Sequence, residues 1–301
     1  MYQHEQDIKK IGFALKAAGY DASKHKDIGD AIKASLIALD TSVEFDFAQN
    51  LALEMFKGAI PKEEYGSLIA IFGESGTGKS TFCARKECFF LDVEDGIHRT
   101  GGKLIADEKR TTCVNKSDVI DSWESYLAEF EKACQSNYSH IIVDTVDALE
   151  QLLWQSLARR NSWASIAKSP FKSGYEMAAD AMNAHLQICK RVRKHGKTLI
   201  FLGHCSVKSY NNPDGESYAR CAINLEKRVE THFQAAMDAI LFLTFEPIVS
   251  VNKDDGRFIA KTSGDRLAIC GESLAYKTKN RFDLPKKVPV NRLWASIFTQ
   301  K

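Results

Sequence analysis

The sequence predicts an α/β fold with a mostly parallel sheet, preceded by a small helical region. Three observations carry this. Five short, continuous apolar runs follow residue 63; amphipathic helical stretches separate them; and the hydrophobic period changes at Pro61. Strands covered on both faces read as unbroken apolar runs, and such strands alternating with helices build a parallel sheet.

Taken in order, residues 4–60 repeat apolar side chains at helical spacing, with Ile8, Ile11, Phe13 and Leu15, then Ile28, Ile32, Leu36 and Leu39. Gly19-Tyr20-Asp21 and Asp40-Thr41-Ser42 interrupt the pattern and Pro61 closes it. The predicted division is a helical region over 1–62 and a core over 63–301. The core strands are SLIAIF (67–72), CFFLD (88–92), HIIVD (140–144), TLIFLG (198–203) and AILFLTF (239–245). Between them, Ile120, Trp123, Leu127 and Phe130 mark one helix. Met182, Leu186 and Cys189 mark another, and Leu225, Val229, Phe233 and Met237 a third. From about residue 247 the rhythm is that of a hairpin, with IVSVN and RFIAKT flanking the turn signal Asp254-Asp255-Gly256. The first half of YKTKNRFDLPKK (276–287) reads as a short strand that Pro285 ends.

With 301 residues, 44% of them hydrophobic, the chain can bury one or two cores. A formal net charge of +2 leaves a nucleic-acid partner open, because a basic face is averaged away in such a total. The polar N-terminus MYQHEQDIKK shows no signal-peptide pattern, so none is expected, and no apolar run approaches the roughly 18–20 residues of a membrane span. The expectation is a cytoplasmic protein without membrane contact. Eight cysteines include no CxxC pair, and no histidine pair follows Cys83 and Cys88 at zinc-finger spacing. They read as reduced, mostly buried thiols.

The chemistry concentrates at strand ends. GESGTGKS, Gly73 to Ser80, fits the phosphate-loop pattern GxxxxGK[ST] between an apolar strand and a helix. Gly73, Glu74, Ser75, Gly76, Thr77, Gly78, Lys79, Ser80 and Thr81 are therefore the expected ATP contacts. The glycines let backbone N–H groups turn toward phosphate oxygens, Lys79 reaches the outer phosphates, and Ser80 supplies a magnesium ligand. Asp144, ending HIIVD, has the place of a Walker B acid and is the expected second magnesium ligand. Asp147 fits either the site or the start of the next helix. Asp92 and Glu94 end the strand after the loop helix, two apart and so on one side. Glu94 is the expected general base, with a capping acid as the alternative. No glutamate directly follows Asp144, where many helicase-like ATPases keep theirs. His204, ending LIFLGH, is placed to contact the γ-phosphate, although a lone histidine is more often structural.

These motifs together, GESGTGKST, LDVE, VDTVDAL and FLGH, resemble a RecA-like P-loop NTPase core. More narrowly, residues 66–295 resemble phage AAA-type nucleotide-binding proteins related to RecA-core single-strand-annealing recombinases. That likeness rests on VEDG, DTVDALE, GHCSVK with NPDGESYAR, Asp238 in MDAILF, and KTKNRFDLP. It implies ATP and Mg2+ as cofactors, single-stranded DNA as a partner, and a homo-oligomer, ring or filament. It also implies replication or recombination partner proteins and, for a phage protein, the host cytoplasm. It makes Ser206–Ala222 a mobile DNA-contacting loop with Lys208, Tyr210, Asn211, Asn212 and Arg220, with a solvated surface loop as the equal alternative. A second candidate is Arg159–Lys172, with Arg160, Trp163, Lys168 and Phe171. The same resemblance sends Lys279 and Arg281 to the neighbouring subunit's ATP. The basic run KRVRKH (190–195) fits the cationic end of a helix instead. Residues 1–60 lie outside the likeness. Phe45-Asp-Phe-Ala48 matches a subunit-joining Phe-x-x-Ala pattern, but so do stretches at Phe56, Phe130 and Phe233, so it decides nothing. Two other readings stand beside this one: a nucleotide-gated module that recruits a replication partner, and a small-molecule kinase. The kinase lacks a clear arginine-rich lid, and the Asp92/Glu94 placement suits water better than an acceptor hydroxyl.

Overall fold

The computed structural model describes residues 65–84, 88–96, 113–114, 119–213, 215–251, 258–271 and 273–298. The expected N-terminal helices lie outside these residues, as does the turn Asp254-Asp255-Gly256. The chain divides into two compact units with interleaved segments. One contains residues 84–201 and 225–236, the other 69–83, 202–224 and 237–301.

The first unit holds β2 (Cys88–Asp92), β3 (Cys113–Val114), β4 (His140–Asp144) and the start of β5 (Thr198–Tyr210), in the order β3-β2-β4-β5. β2 runs parallel to both β3 and β4. Its register with β4 ends on Asp92 opposite Asp144, so two of the sequence-predicted acids share one strand edge. The helices are α2 (Trp123–Gln135), α3 (Val146–Arg160), α4 (Ser173–Lys194) and α5 (Lys227–Ala236). The caps explain their starts. Ser122 Oγ accepts from Ser125 N–H at 3.2 Å while Ser125 Oγ accepts from Ser122 N–H at 3.0 Å, a reciprocal capping box. Thr145 Oγ1 accepts from Ala148 N–H at the head of α3. The carboxylate of buried Glu150 on α3 accepts from Glu226 N–H at 3.1 Å and so receives the start of α5. α4 ends with Arg191, Arg193 and Lys194 in its last turn, as the reading of KRVRKH anticipates.

The core of this unit contains a histidine. His185 on α4 is fully buried among Trp123, Tyr126 and Phe130 of α2, with its ring 4.8 Å from that of Phe130. Its Nε2 lies 2.9 Å from the Tyr126 hydroxyl. Burial pushes the imidazole down to about 3. An unfolded histidine titrates near 6.5, so the neutral ring favours the fold fully above that value, and the contribution is lost as pH falls below it toward 3. Going from pH 7.5 to 5 is expected to remove about 2 kcal/mol of unfolding free energy through this residue. Urea unfolding of the parent and of His185→Leu at both pH values checks it. The variant is expected to lack this component, and equal pH dependence would assign the loss elsewhere.

The second unit holds β1 (Leu68–Gly73), the rest of β5, β6 (Tyr218–Ile223), β7 (Ala239–Val251), β8 (Phe258–Ile269), β9 (Lys279–Asn280) and β10 (Lys287–Pro289). The order is β5-β1-β7-β8-β10, with β6 paired to β5 and β9 to β7. β1 and β7 are parallel, from Ile69 opposite Ala239 to Gly73 opposite Leu243. β7 and β8 form the predicted hairpin, with a register shift between Phe245 and Pro247. Two short helices complete the unit, α1 (Lys79–Cys83) and α6 (Val290–Phe298).

The five apolar runs are all strands, and the α/β class with a mostly parallel sheet holds. Three details differ from expectation. Ser206–Ala222 lies mainly in a two-stranded antiparallel ribbon, from Cys205 opposite Ile223 to Tyr210 opposite Tyr218, rather than in an irregular loop. The basic strand in KTKNRF shrinks to Lys279–Asn280. α6 was not anticipated. Its apolar residues Val290, Leu293, Trp294, Ile297 and Phe298 do follow a helical period, and Trp294 packs on Phe82 of α1 with ring centroids 5.6 Å apart.

Among the described residues, seven cysteines are free thiols, five of them buried. Burial pushes Cys270 up to about 12 and also raises Cys134 and Cys189 well above the usual thiol value, which fits packed rather than reactive thiols.

Candidate nucleotide site

The phosphate loop belongs to the second unit. Gly76 and Gly78 have φ of 80° and 84°, a region that side chains with a Cβ resist, so the backbone turns where GESGTGKS places glycine. Gly73 is glycine for a different reason. A Cβ there would stand 2.4 Å from the carbonyl oxygen of Leu243 on β7. Thr77 Oγ1 donates to Glu74 O at 2.8 Å and tightens the loop. Lys79 is buried, and its Nζ donates to the carbonyls of Gly73 and Glu74, at 3.0 Å each. The ammonium thus lies back across its own loop. Ser80 and Thr81 are half-buried in the first turn of α1, while Glu74 and Ser75 are exposed. This cradle suits a polyphosphate.

His204 follows the buried run of β5 and is half-buried; its carbonyl accepts from Asn224 N–H at 2.9 Å. Beyond it, the β5–β6 ribbon pairs Lys208 with Arg220 and Tyr210 with Tyr218. The two tyrosine rings lie 5.1 Å apart, and the Arg220 guanidinium stands 5.6 Å from the Tyr210 ring. Arg220 also donates from Nη2 to the carbonyls of Ser273 and Tyr276, at 3.3 Å each. It therefore braces the ribbon as well as presenting charge. In KTKNRF, Arg281 pairs with Asp238 at 3.4 Å and remains largely exposed, and Lys279 is half-buried.

The acids belong to the first unit. Asp144 is buried, and its carbonyl accepts from Val93 N–H at 2.8 Å and Glu94 N–H at 3.2 Å. Those bonds hold the Glu94 backbone against the end of β4. The Glu94 side chain is exposed, and its Oε1 accepts from Thr145 Oγ1 at 2.6 Å. A carboxylate oxygen of Asp147, on the first turn of α3, lies within 4.8 Å of one on Glu94. Asp147 thus starts the helix and also adjoins the predicted base. Asp92 is buried and turned to a local task, accepting Gly96 N–H at 3.0 Å. Thr145 escaped the sequence reading. Its signal was its place directly after Asp144, where a hydroxyl both caps α3 and holds Glu94.

The Arg159–Lys172 segment is built from short turns held by Ser169. Its Oγ accepts from Gly174 N–H at 2.9 Å, and its carbonyl from Lys172 N–H at 3.1 Å. Phe171 is fully exposed there with φ of 51°.

The family described as AAA domain matches residues 66–282, most of the chain. The chain belongs to that family. It is a nucleotide-binding P-loop ATPase of AAA type. Two solved structures are similar at low identity. The KaiC-like protein of the hyperthermophilic archaeon Pyrococcus horikoshii OT3 is 13% identical, with 75% of this chain and 85% of that chain covered at a TM-score of 0.37. The flagellar accessory protein FlaH of Methanocaldococcus jannaschii is 17% identical, with 80% and 88% covered at 0.38. Comparison with curated proteins finds no match. No helix among the described residues is long and apolar enough to cross a membrane.

Proposed function

We propose that this AAA-domain protein has a RecA-like core and hydrolyses ATP as a homo-oligomer bound to single-stranded DNA, in recombination or strand annealing. The observation that carries the ATPase part is Glu94, held by Thr145 Oγ1 at 2.6 Å beside the end of the Walker B strand. A carboxylate fixed there, rather than immediately after Asp144, matches the motif order of RecA-like ATPases. Lys79 neutralises phosphate charge and Glu94 orients and deprotonates water. Ser80 and Asp144 would hold Mg2+, which supplies charge neutralisation at the phosphates when bound; hydroxyl and carboxylate oxygens are the donors a hard cation takes. His204 relays the state of the γ-phosphate into β5.

The DNA part is supported by the β5–β6 ribbon. Tyr210 and Tyr218 with Arg220 and Lys208 offer aromatic faces and cations on a strand pair that continues directly from His204. Base stacking on such a platform is worth about 1–3 kcal/mol per base. Steady-state ATP turnover, measured with and without single-stranded DNA across a salt series, tests the reading. DNA is expected to raise the rate, and binding is expected to weaken steeply with salt. Tyr210→Ala is expected to weaken DNA binding by roughly five- to a hundred-fold while leaving DNA-free turnover in place. A rate indifferent to DNA, with no salt-sensitive binding, would remove DNA from the function and leave a nucleotide-gated module.

A further inference from the structure

We infer that Arg266 is a same-chain contact for the phosphates of the bound nucleotide, an arginine set over the phosphate loop by the bulge in β8. The inference rests on the nucleotide-binding reading of that loop and adds a residue to it.

The decisive contact is with Gly78. A Cβ at that position would stand 2.4 Å from Arg266 Nη1, 2.9 Å from Cζ and 3.4 Å from Nε. The guanidinium therefore lies close over the glycine that precedes Lys79, with Nη1 nearest. Gly78 already needs glycine for its φ of 84°, so this residue serves two ends, the turn and the close approach of a cation.

The sheet brings Arg266 there. Phe245 on β7 faces Arg266 on β8, while two residues further along β7 Pro247 faces Thr262. β8 thus carries extra residues between Thr262 and Arg266, with Gly264 at φ of 83°. Bulges of this kind re-aim the side chains beside them. The guanidinium also stands 5.8 Å from the centre of the Phe245 ring, which steadies its plane, and the residue remains exposed to an incoming ligand.

A planar, permanently charged fork suits phosphate oxygens better than it suits a glycine Cα. Its neighbour Lys79 holds loop carbonyls, so two cations of one chain sit on the same short backbone segment. A polyphosphate seated in the loop would draw on both.

Titration calorimetry with ATP, ADP and AMP on the full chain tests this without any turnover. Arg266→Ala is expected to weaken ATP and ADP by about ten- to a hundred-fold, the range of a lost charge-assisted bond, and AMP by much less. Arg266→Lys is expected to recover part of the loss. Arg266→Met keeps a long side chain against Phe245 and Gly78 and is expected to behave like the alanine variant, which separates lost charge from lost packing. Unchanged affinities, or an equal proportional loss for all three nucleotides, overturn the inference while leaving the nucleotide site intact. A parent chain that binds none of the three overturns the site itself, and Arg266 with it.

Discussion

If Arg281 serves as an arginine finger, Arg281→Ala is expected to lower assembly-dependent ATP turnover by on the order of 10³ to 10⁵ while sparing nucleotide binding by single chains. The local structure makes the arginine both well anchored and easily redirected. Its backbone N–H donates to Asp238 O at 3.2 Å, next to the pairing of β9 with β7. The turn that follows is fixed by Asn280, whose side chain donates to Leu284 O at 2.8 Å and accepts from the N–H groups of Phe282 and Leu284. Leu284 itself is buried. The guanidinium by contrast is 60% exposed and, among the described residues, held by an ion pair with Asp238 at 3.4 Å. A pair of that kind is worth about 0–1 kcal/mol, so little opposes its leaving Asp238 for a neighbour's phosphate. Arg281→Lys keeps the charge and loses the planar fork, and is expected to recover only a minor part of the rate. Turnover equal to the parent's in Arg281→Ala would return this segment to a surface role.

The sequence and the structure agree where the signal is local. The five core strands are legible because a strand buried on both faces must be apolar throughout, and β1 and β4 are buried at nearly every position. The phosphate loop is legible because Gly76 and Gly78 answer to backbone angles within the loop itself. The β5–β6 ribbon is not, since SVKSY and most of YARCAI are exposed or half-buried and mix polar, charged and apolar residues, with only Ala222 and Ile223 buried. No apolar run marks them. Arg266 is hidden for another reason. Its position over Gly78 depends on how β8 slips against β7, a register that no stretch of either strand states alone. Thr145 lies between these cases, adjacent to a recognisable acid but meaningful only once Glu94 is seen to reach it.

Glu94→Gln is the sharper test of the chemistry, with an expected fall in turnover of about 10²- to 10⁴-fold and ATP binding retained. Glutamine keeps an oxygen for the Thr145 hydroxyl to donate to and removes only the carboxylate's basicity, so the loss reads proton transfer rather than collapse of the strand end. Asp147→Asn is the control, because its carboxylate lies within 4.8 Å of that of Glu94. A larger loss from Asp147 would transfer the role of base to it. Near-parent turnover in Glu94→Gln would remove Glu94 from the chemistry altogether. The two variants also complement each other. Glu94→Gln keeps Arg281 and lacks the base; Arg281→Ala keeps the base and lacks the arginine. If Arg281 acts on a neighbour's nucleotide, mixing the two inactive proteins creates interfaces where an intact Glu94 meets an intact Arg281. Turnover is then expected to return, to about a quarter of the parent's when subunits mix at random in equal amounts and each interface acts independently. If Arg281 acts within its own chain, every site in the mixture lacks one of the two groups and turnover stays at the floor. The mixture therefore tests the base, the arginine and the shared site between subunits in a single measurement.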